Sequence, residues 1–153
     1  MSERPIRRIL VPVELAEPGE PDMSYALRLA AQLQCELILV VVIDTPTTVG
    51  LIGHHRAQAA RGGESFNAAL VRDAKAILQK IVDAAGQLGV QAWGHATVSE
   101  DVIEQILKEA LLQKVDLILV RSHGRIGFMK AMLGSTAGEI LKAAPCPVLV
   151  APH

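Results

Sequence analysis

A single doubly wound α/β domain with five parallel strands is the fold this sequence predicts, and three features predict it. Strand-like apolar runs alternate with helical patterns along the chain, and each connection is long enough for a right-handed crossover. Half of the residues are apolar but only 3% are aromatic, so the core must be built from Leu, Ile, Val and Ala, as in a parallel sheet covered on both faces. At 153 residues the chain has the length of one domain, large enough to bury about 68–70% of its unfolded surface without staples.

The first strand is expected at 9–13, preceded by Arg4, Arg7 and Arg8 and ended by Glu14. With a net charge of −1, those arginines read as an exposed approach to the strand rather than an anion site. Pro18, Gly19 and Pro21 then punctuate a loop, and Met23, Ala26, Leu27, Ala30 and Leu33 recur at helical spacing within 20–33. The continuous aliphatic run 36–43 reads as a strand buried on both faces. The connection 44–64, with His54 and His55, reads as a functional lid or a mobile segment, and no acid or cysteine stands at ligand spacing from the two histidines.

Phe66, Leu70, Ala74, Ile77, Leu78, Ile81, Ala85 and Leu88 trace the inner face of a long helix that Gly89 stops. A strand is expected at 90–98, where Trp93 and His95 read as packing residues. Ser99 is the expected N-cap of the next helix, with Glu100 and Asp101 in its first turn and Ile103, Ile106, Leu107, Ala110 and Leu111 facing inward. Strands at 115–120 and 147–151 complete the pattern, separated by a glycine-punctuated loop at 121–133 and a helix opening on Gly134-Ser135-Thr136.

Several functions are disfavoured at this level. Acids and bases nearly balance, which argues against a dedicated nucleic-acid surface. Cys35 and Cys146 form no Cys-x-x-Cys pair and read as ordinary buried thiols. No apolar run approaches the length of a membrane span and no signal-like segment follows the charged start, so a cytoplasmic protein is expected.

The stretch 116–151 carries the chemistry. A strand ending in a glycine-bearing loop, followed by a helix whose first N–H groups lack intrahelical partners, is a place for an anion. Gly124, Gly127 and Gly134 would let the backbone approach a phosphate, with Ser135 and Thr136 offering hydroxyls at the helix start. On spacing alone, three glycines that merely turn the chain explain the pattern equally well.

The run Ser122-His123-Gly124-Arg125-Ile126-Gly127, then Leu133-Gly134-Ser135-Thr136 and Ala144-Pro145-Cys146-Pro147-Val148-Leu149-Val150, resembles the C-terminal signature of the universal stress protein family. Ile9-Leu10-Val11-Pro12-Val13-Glu14 extends the similarity to the other end of the chain. The resemblance implies the strand order 3-2-1-4-5, which places strands one and four together at the topological switch point. It also implies a nucleotide site formed by Pro12, Val13, Glu14, Val42, Val120, Arg121, His123, Gly124, Arg125, Gly134, Ser135 and Thr136. The implied ligand is ATP or AMP, with Mg2+ as a companion. The family's ATP-binding members carry Gly-x2-Gly-x9-Gly followed by Ser or Thr; here Gly124, Gly134 and Ser135 match, while Arg121 replaces the first glycine. That arginine would either plug the ribose and phosphate space or clamp the phosphates through charge-assisted hydrogen bonds. Glu14 stands where the family has aspartate.

The final strand is an expected edge, and edges are seldom left unpaired. The resemblance implies that it pairs with its copy in a homodimer through Val148, Leu149 and Val150. The expected function is nucleotide-dependent regulation of a protein partner that the sequence does not identify. The alternatives are a nucleotide-free dimeric interaction module, favoured by Arg121 and Glu14, and a slow ATP hydrolase or nucleotidyl transferase. The enzyme alternative lacks a Gly-x4-Gly-Lys-Ser/Thr loop, a Gly-x-Ser-x-Gly elbow and a paired carboxylate set.

Overall fold

The computed structural model describes residues 5–13, 22–43, 66–121 and 142–151. Within them the strands are β1 (Arg8–Pro12), β2 (Glu36–Ile43), β3 (Ala92–Val98), β4 (Leu117–Arg121) and β5 (Val148–Ala151). The helices are α1 (Ser24–Leu33), α2 (Phe66–Gln87) and α3 (Val102–Leu112). All strand pairings are parallel and the order is β3-β2-β1-β4-β5, as the family resemblance implied.

Side-chain alternation divides the core in two. Ile9, Val11, Leu37, Leu39, Leu117 and Leu119 face the side of the sheet covered by α1 and α2. Leu10, Ile38, Val40, Ile118 and Val120 face α3, with Ala144 and Cys146 packed against the same cluster. Because β2 and β4 are covered on both faces, their sequences need no polar alternation, which explains the unbroken aliphatic runs. Each fully buried leucine or isoleucine in these rows contributes about 1.5–3 kcal/mol relative to exposure.

The described helices end alike. At α2, Val90 N–H donates to Ala85 O at 2.9 Å and Gly89 N–H to Gly86 O at 3.0 Å, with Gly89 at φ +74. This is the Schellman closure, in which a left-handed residue turns the chain so that two terminal carbonyls gain donors. The same pair of bonds closes α1, from Cys35 to Ala30 and Gln34 to Ala31, and α3, from Val115 to Ala110 and Lys114 to Leu111. Glycine makes this turn only after α2; Gln34 and Lys114 adopt φ 57 and 53 and carry the steric cost.

These closures correct several expected boundaries. Val90 and Val115 are apolar and buried, but their N–H groups are used to end helices, so β3 begins at Ala92 and β4 at Leu117. Leu88 and Leu111, expected on inner faces, lie in or beyond the last turn of their helices and are 53% and 65% exposed. The cap of α3 is Asp101, whose carboxylate accepts from Glu104 N–H at 3.0 Å, rather than Ser99. The Ser99 hydroxyl accepts instead from Asp101 N–H, one turn earlier. α1 begins at Ser24, where Asp22 accepts from both the backbone and the hydroxyl of that serine.

Trp93 is half exposed because β3 is an edge strand. Close packing in β3 occurs at Gly94 instead, where a Cβ would stand 2.8 Å from Leu78 Cβ of α2. Cys35 is buried as expected, whereas Cys146 is only partly covered. Among the described residues, no helix is long and apolar enough to cross a membrane.

Candidate functional site

In an open α/β sheet the ligand crevice lies beyond the carboxyl ends of the strands where the order reverses. Here that point falls between β1 and β4. At its amino end the seam is tightly held. Asp116 Oδ2 accepts from Arg7 N–H at 2.9 Å and Arg8 N–H at 3.1 Å, while Asp116 N–H donates to Arg8 O. The Arg8 guanidinium reaches Glu36 of β2 at 3.1 Å and donates to Gln113 O at 3.0 Å. Arg8 is therefore an intramolecular brace, where the sequence reading expected only an exposed approach to the strand.

At the carboxyl end the ladder across the same seam stops. β1 pairs with β4 at Ile9↔Leu117 and Leu10↔Ile118, and among the described residues the ladder goes no further. β1 instead stays with β2 to its last residue, Pro12↔Val40, and Val13 N–H donates to Val40 O at 2.7 Å. β4 stays with β5 to Arg121↔Ala151. The ladders on either side thus run on to the carboxyl end while the one between β1 and β4 stops at Leu10↔Ile118.

The expected site residues that are described converge on this end. Pro12 ends β1 and Val13 follows it, buried. Val120 and Arg121 end β4. Val42 lies near the end of β2, paired with Thr97, and is only partly covered in a strand otherwise buried from Leu37 to Val41. Val42 and Val120 face the α3 side, and alternation puts Pro12 there with Leu10; Val13 faces the α1 and α2 side. Glu14, His123, Gly124, Arg125, Gly134, Ser135 and Thr136 lie outside the described residues, as do the connection 44–64 and the side chain of Arg121.

Two side-chain groups lie away from the crevice. His95 Nε2 stands 3.3 Å from Glu109 Oε1, and Gln105 Nε2 donates to the same oxygen at 3.2 Å. This contact pins β3 to α3 and accounts for the buried Glu109 carboxylate, which would otherwise be costly. Sequence reading left His95 as a packing residue and missed Glu109, a single acid within an otherwise apolar inner face. At the amino end of β5, burial pushes the Cys146 thiol above its ordinary pKa, the nearby Asp116 carboxylate adds to this, and a backbone hydrogen bond at Ile118 opposes it. No group of three or more metal-ligating side chains occurs among the described residues.

The universal stress protein family model matches residues 5–152. A universal stress protein of Methanocaldococcus jannaschii is 28% identical over 145 residues, covering 94% of this chain and 81% of that protein. Universal stress protein A homolog 2 of Coxiella burnetii is 30% identical, covering 94% of this chain and 92% of its own length. Among solved structures, UspA from Lactobacillus plantarum superposes with a TM-score of 0.66 at 19% identity, covering 95% and 97% of the two chains. A universal stress protein in complex with cAMP gives 0.59 at 17% identity, with 96% and 97% covered. The Archaeoglobus fulgidus protein in complex with dAMP gives 0.58 at 17%, with 94% and 96% covered.

Proposed function

Because this chain belongs to the universal stress protein family, we propose that it binds an adenine nucleotide, ATP or AMP, as a regulatory and non-catalytic ligand. The observation that carries this reading is the end of the β1–β4 ladder at the switch point, with Pro12, Val42 and Val120 on one face of the sheet beside it. Solved relatives in complex with cAMP and dAMP support an adenine nucleotide as the class of ligand.

In this reading the apolar rims of β1 and β2 take the base. Partly covered Pro12 and Val42 offer surface for a flat ring, and burying such surface stabilises by about 25 cal/mol per Å². Arg121, His123, Gly124, Arg125, Gly134, Ser135 and Thr136 hold the phosphates, Glu14 addresses the ribose or base, and Mg2+ accompanies the phosphates of ATP. Occupancy then sets the shape or partner choice of a homodimer formed through Val148, Leu149 and Val150. That strand is bonded to β4 on one side, and its side chains are half-buried in both halves of the core, so the dimer contact would be made chiefly by its backbone edge.

Isothermal titration of AMP and of ATP with Mg2+ into the wild type and Arg121→Gly tests the reading. Saturable binding is expected in the wild type; the glycine variant binds tighter if Arg121 plugs the site and weaker if it clamps the phosphates. Absence of heat with both nucleotides in both proteins would leave the second reading, a nucleotide-free dimeric module, which the arginine in place of the family glycine specifically favours. A monomeric mass by light scattering at micromolar concentration would remove the dimer.

A further inference from the structure

β1 is the middle strand of five, with a bonded neighbour on either side, and it contains a proline. Proline has no N–H for a ladder, and within sheets it is confined to edge strands, first residues and bulges. Pro12 is the last residue of a central strand.

The direction of each backbone group shows which neighbour loses a bond. Arg7 O accepts from Glu36 at the start of β2, and Arg8 O accepts from Asp116 beside β4. Odd-numbered residues of β1 therefore address β2 and even-numbered ones address β4, and the Val13 N–H bond to Val40 follows the rule. In the observed register, the rows after Leu10↔Ile118 would be Val11 with Leu119 and Pro12 with Val120. Both rows need an N–H at position 12 donating to the Leu119 carbonyl. The ladder stops at that row, where the donor it needs does not exist, while the pairing with β2 runs on to Pro12.

We infer that Pro12 is a positioning residue that keeps the carboxyl halves of β1 and β4 unlaced, so that the switch-point crevice stays open to a nucleotide. The inference rests on the nucleotide reading of that crevice and adds a sequence cause for its opening. A residue with an N–H at position 12 would let the two strands zip one step further and tie β1 to β4 beside Val120.

Pro12→Ala and Pro12→Val in the full chain, with amide exchange followed by NMR and AMP binding by titration, test it. The expected result is an amide at position 12 protected from exchange, a urea midpoint at or above the wild-type value, and AMP affinity reduced by about tenfold or more. A chain carrying lactic acid at position 12, an ester with no N–H, separates the missing donor from the ring and should bind AMP within about twofold of wild type. Free exchange of the position-12 amide, undiminished AMP affinity in a variant whose amide is protected, or lost binding in the ester chain would overturn the inference. If the wild type takes up no AMP or ATP, the nucleotide reading fails, and the position-12 amide still decides whether proline unlaces the seam.

Discussion

At the amino ends of β1 and β4 one carboxylate, Asp116, receives two backbone N–H groups and Arg8 ties three segments together, whereas beyond Leu10 and Ile118 the same two strands stop pairing. The described helices also close at the amino end of the sheet, each through two backbone bonds to carbonyls of its last turn. Fixed structure and candidate chemistry are thus separated along one pair of strands. A segment with few crossing hydrogen bonds opens locally at lower cost, and binding regions are drawn from such segments. A site can therefore vary at the carboxyl end without loosening the fold.

The largest effect expected from breaking this arrangement is at Asp116. Replacing it with alanine orphans the Arg7 and Arg8 amides and should destabilise by about 2–3 kcal/mol in urea unfolding, since bonds to a charged acceptor are the stronger kind. If the ends act independently, AMP affinity changes by no more than about twofold. Gly94→Ala should follow at about 1–2 kcal/mol, because the new Cβ meets Leu78 Cβ at 2.8 Å in a packed interface.

The helix closures sharpen the comparison with a change of sign. Gly89→Ala should lose about 1 kcal/mol because alanine strains at φ +74, while Lys114→Gly should gain about 0.5–1 kcal/mol by relieving φ 53. The exposed pair Arg8–Glu36 is expected to be the weakest element of the amino-end brace, with a double-mutant coupling below about 1 kcal/mol that shrinks in salt. Finally, a thiol held above its ordinary pKa carries less thiolate near pH 8, so Cys146 should react with iodoacetamide more slowly than in the unfolded chain. Asp116→Asn removes part of the upward push and should speed that reaction.

Much of this fold was legible because buried parallel strands and amphipathic helices leave simple patterns. The run 36–43 became β2 without adjustment, and strand alternation with helices led to the observed five-stranded order once the family resemblance was added. Boundaries failed where one residue serves two purposes. Val90 and Val115 look like strand residues because they are buried and β-branched, yet their amides finish helices. Trp93 was expected to pack, and the edge position of β3 leaves it half in water. In the candidate site, Pro12, Val13, Val42, Val120 and Arg121 fall at one end of the sheet, as fold rules require of residues at strand termini. Glu14 and the motif residues from His123 to Thr136 stand on the sequence resemblance alone, being outside the described residues. The early end of the β1–β4 ladder was not read from the sequence, where Pro12 entered only as a site residue implied by the resemblance.

Titration of AMP into isotope-labelled protein, read residue by residue in amide NMR spectra, tests the separation most directly. The account predicts saturable shifts at Val13, Val42, Val120 and Arg121, with Arg8, Gly89 and Asp116 unmoved. No shift up to about 1 mM AMP, or shifts gathered at the amino ends of the strands, would contradict it.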